Sequence, residues 1–199
     1  MKIVGITGGV GAGKSEVLRL LDKMCRCIIV TADDLAKSLE DKDEVCFKPL
    51  VELLGKDVLG DDGQIDPKKM AGMIFAEGGE KLLAGVNAIV HPAVKTRILA
   101  MISDAKRKDT VDYFFIEAAL LIEDGYDKIV DELWYVYADE KTRRARLKEN
   151  RGYSDRKISD IMESQSSDEV FRSYCKVVID NSFGIEDTKK QLEGVLKDQ

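Results

Sequence analysis

The 199-residue chain has a single histidine, His91, and four cysteines, Cys25, Cys27, Cys46 and Cys175. No C-x-x-C pair occurs among them. A cysteine/histidine zinc site is therefore not expected, and in a reducing cytosol the four residues are read as small, partly buried thiols. No run of about 18 apolar residues occurs, which excludes a hydrophobic membrane-spanning helix. The opening MKIVGITGG lacks the long apolar stretch and small-residue cleavage site of a secretory signal, so a cytoplasmic protein is expected. Excess positive charge is missing as well. The formal net charge of −6 speaks against a sequence-independent nucleic-acid binder, while leaving room for a local basic pocket that takes an anionic small molecule. Also absent is N-K-x-D, the guanine-reading tetrapeptide of GTPase switches.

What is present is a globular composition, 44% apolar and 34% charged, able to bury a core. Short apolar runs read as strands at 2–7, 27–32, 113–118, 133–138 and 177–180. They are rich in Val, Ile and aromatic residues and nearly continuous, as strands buried on both faces of a parallel sheet are. Helical spacing is expected at 14–24, 33–40, 43–54, 139–150, 155–165 and 185–197. Strands alternating with helices predict a three-layer α/β fold around a parallel five-stranded sheet. The interval from about Asp43 to Lys108 breaks the rhythm. It carries helical spacing and turn punctuation at 60–67 and 77–80 but no clear strand, and reads as a mostly helical insertion.

GITGGVGAGKSEV, residues 5–17, contains Gly8, Gly13, Lys14 and Ser15 in the P-loop spacing G-x-x-x-x-G-K-[ST]. Glycines at the bends let successive backbone N–H groups turn inward around phosphate oxygens, where a Cβ would obstruct the approach. Lys14 reaches the β- and γ-phosphates, Ser15 supplies an oxygen to Mg²⁺, and the following helix points its positive N-terminal end at the same anions. A small P-loop chain with a helical insertion and a basic segment before its last strand has the layout of a nucleoside-phosphate-type kinase. A lid of arginines in such enzymes closes over the transferring phosphoryl group.

Three further constellations carry chemistry. VTADDLAKSL places Asp33 just past the second strand, where a carboxylate can take a proton from an attacking hydroxyl. Asp33 and its neighbour Asp34 can equally cap the following helix. YFFIEAALLIED puts Glu117 at the end of an apolar strand, a Walker-B-like position for holding Mg²⁺ directly or through water. Glu123, further on, can bind substrate or cap a turn. KTRRARLKENR gathers Arg143, Arg144, Arg146 and Arg151. On a helix, 143 and 146 share one face, and 144 shares a flank with 148 and 151. Arg144 and Arg151 are the residues selected as phosphate contacts, because Arg151 abuts the Gly152 turn where a lid would hinge. His91, followed by Pro92 at what reads as a helix start, is open between packing and contact with an anionic substrate.

The ordered set of motifs resembles the dephospho-coenzyme A kinase family nearly end to end. The loop T-G-G-x-G-[SA]-G-K-S is matched by Thr7 to Ser15. A D-A-D-like segment follows the second strand, an H-P lies in the insertion, a D-x-P-L-L-x-E-like segment follows the third strand, and an I-D-N comes near the end. The resemblance implies a P-loop kinase fold with core (1–42, 109–140 and 166–199), helical CoA-binding insertion (about 43–108) and lid (about 141–165). It implies ATP-dependent phosphorylation of the ribose 3′-hydroxyl of dephospho-CoA, with ATP and Mg²⁺ bound and no nucleic acid or membrane as partner. The family's base falls on Asp33. Its nucleotide contacts fall on Gly11, Ala12, Gly13, Lys14, Ser15 and Glu16. His91 falls in the CoA-binding part, with Glu117 and Glu123 on the substrate side, and Asn181 in the loop near the adenine. The sequence departs from the family at Thr31 for the first Asp of D-A-D, at Glu117 and Ala119 in the D-x-P-L-L segment, at Pro67 where the family has Arg, and in the spacing of the lid arginines from which Arg144 and Arg151 are selected. Another small-molecule or nucleotide kinase, and a nucleotide-dependent binding module that would not need Asp33, are the alternative readings.

Overall fold

In the computed structural model, residues 1–118, 121–122 and 125–197 are described. Two compact units divide the chain: Met1–Val30 with Lys108–Gln199, and Thr31–Arg107.

The first unit is built on a sheet of five strands, β1 (Lys2–Thr7), β2 (Cys27–Thr31), β3 (Tyr113–Glu117), β4 (Glu132–Tyr137) and β5 (Val177–Asp180), in the order β2-β3-β1-β4-β5. β1 pairs in parallel with both β3 and β4, and β4 pairs in parallel with β5. Each parallel step needs a crossover, and the helices supply it. α1 (Lys14–Met24) lies between β1 and β2, α6 (Glu140–Arg151), α7 (Asp155–Glu163) and α8 (Asp168–Tyr174) lie between β4 and β5, and α9 (Ile185–Lys197) follows β5. Side chains alternate across the strands. Val4, Ile6, Phe115, Trp134, Val136 and Ile179 join Val17, Leu18 and Leu21 of α1 and Leu192 of α9 in one core. Tyr135, one residue out of phase, faces the other way and stacks on Phe171 of α8 at 4.8 Å. The sheet is thus covered on both faces, which is why its strands read as continuous apolar runs.

The second unit holds α2 (Ala32–Glu40), α3 (Phe47–Leu54), a 3-10 turn at Lys56–Val58, α4 (Pro67–Ile74) and nearly all of the 29-residue α5 (Glu80–Lys108). Beyond the last residue of β2, its β structure among the described residues is an isolated bridge between Leu59, just before the stretch read as turn punctuation, and Ile65 within it. Two local expectations are corrected. The helix expected from 43 begins at Phe47, because Asp43 has φ 76° and interrupts helical geometry. Pro92 does not start a helix but lies inside α5. Proline there removes one N–H donor and crowds the preceding turn, yet Val86, Val90, Val94 and Ile98 form a buried stripe on both sides of it that holds the helix together. One helix, α8, was not foreseen. Its signal is Ser167, whose hydroxyl caps the Val170 N–H, followed by two acids in the first turn.

Candidate active site

Between the end of β1 and the start of α1 the chain turns through Gly8 to Gly13. Gly8 has φ 152°, and a Cβ there would stand 2.3 Å from the Val136 carbonyl oxygen. Gly13 has φ 91°, a left-handed conformation, and a Cβ would stand 2.2 Å from Asn181 Nδ2. Both positions therefore require glycine. The Glu16 N–H turns back to the Gly13 carbonyl, but the Lys14 and Ser15 N–H groups that open α1 have no intrahelical acceptor, so the turn presents donors and the positive helix end at one place.

Lys14 folds back over this turn. Its ammonium donates to the Gly8 carbonyl at 2.8 Å and lies 3.5 Å from Glu117 Oε1. The register of β1 on β3 pairs Ile6 with Glu117, which puts that carboxylate one strand away from the loop. Both side chains are largely buried, at 14% and 16% exposure. Ser15, in the first turn of α1, is exposed, while Glu16 pairs with Arg19 on the same helix.

A second set of cations approaches the loop from α6. Asp139 caps that helix by accepting the Thr142 N–H at 2.8 Å, and its own N–H donates to Ser182 Oγ. The Thr142 N–H and hydroxyl hold the Asp139 carboxyl below the ordinary range. So anchored, α6 lays its 143/146 face on the loop. Arg143 Nε donates to the Val10 carbonyl at 2.9 Å, and its Nη2 donates to Gln165 Oε1 at 2.7 Å. The same oxygen of Gln165 accepts the Val10 N–H at 3.1 Å. Burial pulls the Arg143 guanidinium below its usual pKa. Arg146 donates to the carbonyls of Ala12, at 3.2 Å, and Asn181, at 2.8 Å.

The other expected residues are placed as follows. Arg144, on the opposite flank of α6, donates to Glu140 Oε1 at 2.7 Å and to Ser159 Oγ at 3.1 Å; Arg151 is exposed near the Tyr153 ring. Neither hydrogen-bonds the loop among the described residues. Asn181 is buried at 3% exposure, with its side-chain amide donating to the Ala12 carbonyl at 2.9 Å. Asp33 is exposed in the first turn of α2, in the second unit. Its neighbour Asp34 accepts the Thr31 hydroxyl at 2.6 Å and lies 3.5 Å from Lys37. The Thr31 hydrogen bond, then Lys37, draws the Asp34 carboxyl below its ordinary range. His91 is half-buried within α5. Glu123 and Ala119 lie outside the described residues. Arg143, Arg146 and Gln165 were not picked from the sequence. The shared face of 143 and 146 was legible; Gln165 had no local signal.

The family model for dephospho-CoA kinase matches residues 2–187. The chain belongs to the dephospho-CoA kinase family. A dephospho-CoA kinase of Oceanobacillus iheyensis is 32% identical over 195 residues, covering 98% of this chain and 96% of that one. TT1252 from Thermus thermophilus superposes with a TM-score of 0.80 at 28% identity, over 99% of this chain and 97% of that one. At the level of fold alone, a dephospho-CoA kinase from Campylobacter jejuni superposes with a TM-score of 0.71 at 19% identity, covering 98% and 96%. Dephospho-CoA kinases are phosphotransferases that take ATP as co-substrate, and the α/β architecture with its parallel five-stranded sheet is that of P-loop kinases.

Proposed function

We propose that this chain transfers the γ-phosphoryl group of ATP to the ribose 3′-hydroxyl of dephospho-CoA, releasing CoA and ADP. The observation that carries the reading is the glycine turn with Lys14 folded over it, in a chain of this family. In this reading Gly11 to Glu16 hold the nucleotide phosphates, and Lys14 exchanges its contact with the Gly8 carbonyl for phosphate oxygens. Such transfer needs little covalent chemistry from the protein. Positioning and charge stabilisation of the equatorial oxygens do most of the work. Arg143 and Arg146 supply further positive charge at the loop, and Arg144 and Arg151 serve in the lid of about 141–165. Asp33 takes the proton of the 3′-hydroxyl, His91 contacts the acceptor within the insertion of about 43–108, and Asn181 serves the nucleotide by holding the loop.

Mg²⁺ fits the residues present. The Ser15 hydroxyl and the Glu117 carboxylate are hard oxygen donors of the kind this ion takes together with substrate phosphates, and they would hold it here. When bound, it neutralises charge on the phosphate oxygens. Glu117 answers to Lys14 as well, so its carboxylate serves two cations. A cytoplasmic location goes with this reading, as the compartment of ATP and of reduced cysteines.

The test is ADP release with and without dephospho-CoA, on the parent chain and on Lys14→Ala. ADP formed only when dephospho-CoA is present, and lost in folded Lys14→Ala, is the expected result. Equal release without acceptor points to a nucleotide-driven binding module. Release only with a different hydroxyl compound points to another small-molecule kinase.

A further inference from the structure

Behind the glycine turn, two buried polar side chains stand in line. Thr188 of α9, fully buried, donates its hydroxyl to Asn181 Oδ1 at 2.8 Å. Asn181 Nδ2 donates in turn to the Ala12 carbonyl at 2.9 Å. The polarity of this line is forced. A carbonyl only accepts, so the amide must turn its NH₂ toward Ala12, which leaves its oxygen toward Thr188 and obliges that hydroxyl to donate. With the amide reversed, its oxygen would face the Ala12 carbonyl oxygen inside the protein with no proton between them.

We propose that Thr188 is a positioning residue for the phosphate loop, acting through Asn181 to aim the Gly13 N–H. The Ala12 carbonyl and the Gly13 N–H belong to one peptide group. That group is planar and trans, so the two point in opposite directions. Holding the carbonyl back against Asn181 turns the N–H forward, away from the protein and toward the phosphate side of the loop. The hold matters at this spot because Ala12 stands between Gly11 and Gly13, which have φ of 82° and 91° and little steric resistance to peptide rotation. Arg146, which is only partly buried, reaches the same carbonyl at 3.2 Å. The Thr188–Asn181 line is buried from end to end.

The proposal rests on the phosphate-loop reading of residues 8–15, and its test separates the two. Thr188→Val keeps shape and removes the donor. ATP affinity is measured by titration, alongside KM for dephospho-CoA, thermal midpoint and exchange of the Asn181 side-chain amide protons. The expected result is a Kd for ATP raised about tenfold, the size of effect usual when an outer partner of a binding group is removed. The same variant should show faster exchange of the Asn181 amide and a KM for dephospho-CoA within about twofold of the parent. Thr188→Ser should bring ATP affinity back to within about threefold. Parent-like ATP affinity in Thr188→Val, or a serine variant as weak as the valine one, overturns the proposal. Should the valine variant fail to fold, Asn181→Asp decides. It still accepts from Thr188 but presents an oxygen to the Ala12 carbonyl, so weak ATP binding supports the relay and parent-like binding overturns it. A parent chain that does not bind ATP sinks the phosphate-loop reading itself, and the relay with it.

Discussion

Lys14, the first residue of α1, meets Glu117 at the end of β3, with the ammonium 3.5 Å from the carboxylate oxygen Oε1. The carboxylate balances a cation held inside a turn built to receive anions. Glu117→Gln removes that charge with little change in size. Activity should fall about 10- to 100-fold, the range seen when groups that tune a metal or its ligands are altered, and the Mg²⁺ concentration for half-maximal rate should rise. Glu117→Asp, which restores the residue the family pattern has here, should keep most of the parent's rate. Rate against Mg²⁺ concentration for the three chains is the measurement. An unchanged Mg²⁺ dependence in Glu117→Gln would leave Glu117 as a partner of Lys14 alone.

Gly13→Ala asks two things the structure refuses: a left-handed conformation for alanine, and room for a Cβ 2.2 Å from Asn181 Nδ2. The conformation alone costs about 1–2 kcal/mol. Displacing the buried amide adds the loss of its bond to Ala12, so the thermal midpoint should drop by several degrees and ATP binding should be lost. Gly194→Ala provides the contrast. It lies inside α9 with nothing near a new Cβ, and should raise stability by up to about 1 kcal/mol. Thermal unfolding of both variants on one day's preparation compares them directly. Equal midpoints would mean that the loop can relax around the new methyl group.

Much of this was legible in the sequence, and the reasons for what was not are local. The central strands β1, β3 and β4 stood out because they are buried on both faces, the partly buried edge strands β2 and β5 because they are short apolar runs, and the turn at Gly8 to Ser15 because few backbones other than a phosphate loop need those glycines before a Lys-Ser pair. Pro92 misled because the proline rule describes an isolated helix, whereas α5 is held on both sides by its buried valines. On α6, spacing separated the 143/146 face from the 144/148/151 flank, but two basic faces of one helix look alike until the Asp139 cap and Ser182 fix its rotation. Gln165 lies 155 residues from Val10, its partner in the chain, and no spacing rule reaches that far.

That rotation gives a direct comparison. Arg143→Ala removes the side-chain donor to the Val10 carbonyl, leaves Gln165 Oε1 with only the Val10 N–H, and takes a positive charge from beside the glycine turn. Its kcat/KM for ATP should fall by at least about 10²-fold, below the 10³–10⁵ that an arginine placed on the transferring group can contribute. Arg143→Lys should recover little, since an ammonium cannot reproduce a fork that reaches both Val10 and Gln165. Arg144→Ala gives up a partly exposed pair with Glu140, of a kind worth about 0–1 kcal/mol, and should cost less unless its flank turns to the phosphates in the closed state. Steady-state kinetics on the three variants orders them. A larger loss in Arg144→Ala would mark the flank selected from the sequence as the phosphate side, and the Arg143 contacts as support for the loop.

Asp33 and Asp34 are adjacent acids at the start of α2, and the structure treats them differently. Asp34 is engaged by the Thr31 hydroxyl and sits near Lys37, whereas Asp33 makes no hydrogen bond or ion pair among the described residues. An acid tied to a hydroxyl and an ammonium is a poorer proton acceptor than one that is not, which favours Asp33 as the base. Asp33→Asn keeps the shape and much of the helix-starting character but cannot take the proton. Loss of a general base lowers rates by about 10²–10⁴. The fall should sit toward the lower end, because a loose phosphoryl-transfer transition state needs the hydroxyl proton to leave late. ATP affinity should stay at the parent's value, since the acid acts on the acceptor. If Asp33 serves only the helix start, the variant should instead lose at most about 1 kcal/mol of stability and keep its rate. Single-turnover rates with dephospho-CoA saturating, and ATP titration of the same preparation, distinguish the two. A rate within about threefold of the parent would remove Asp33 from the reaction. The same assay on Asp34→Asn would then show whether the acid held by Thr31 gives up that bond to do the work.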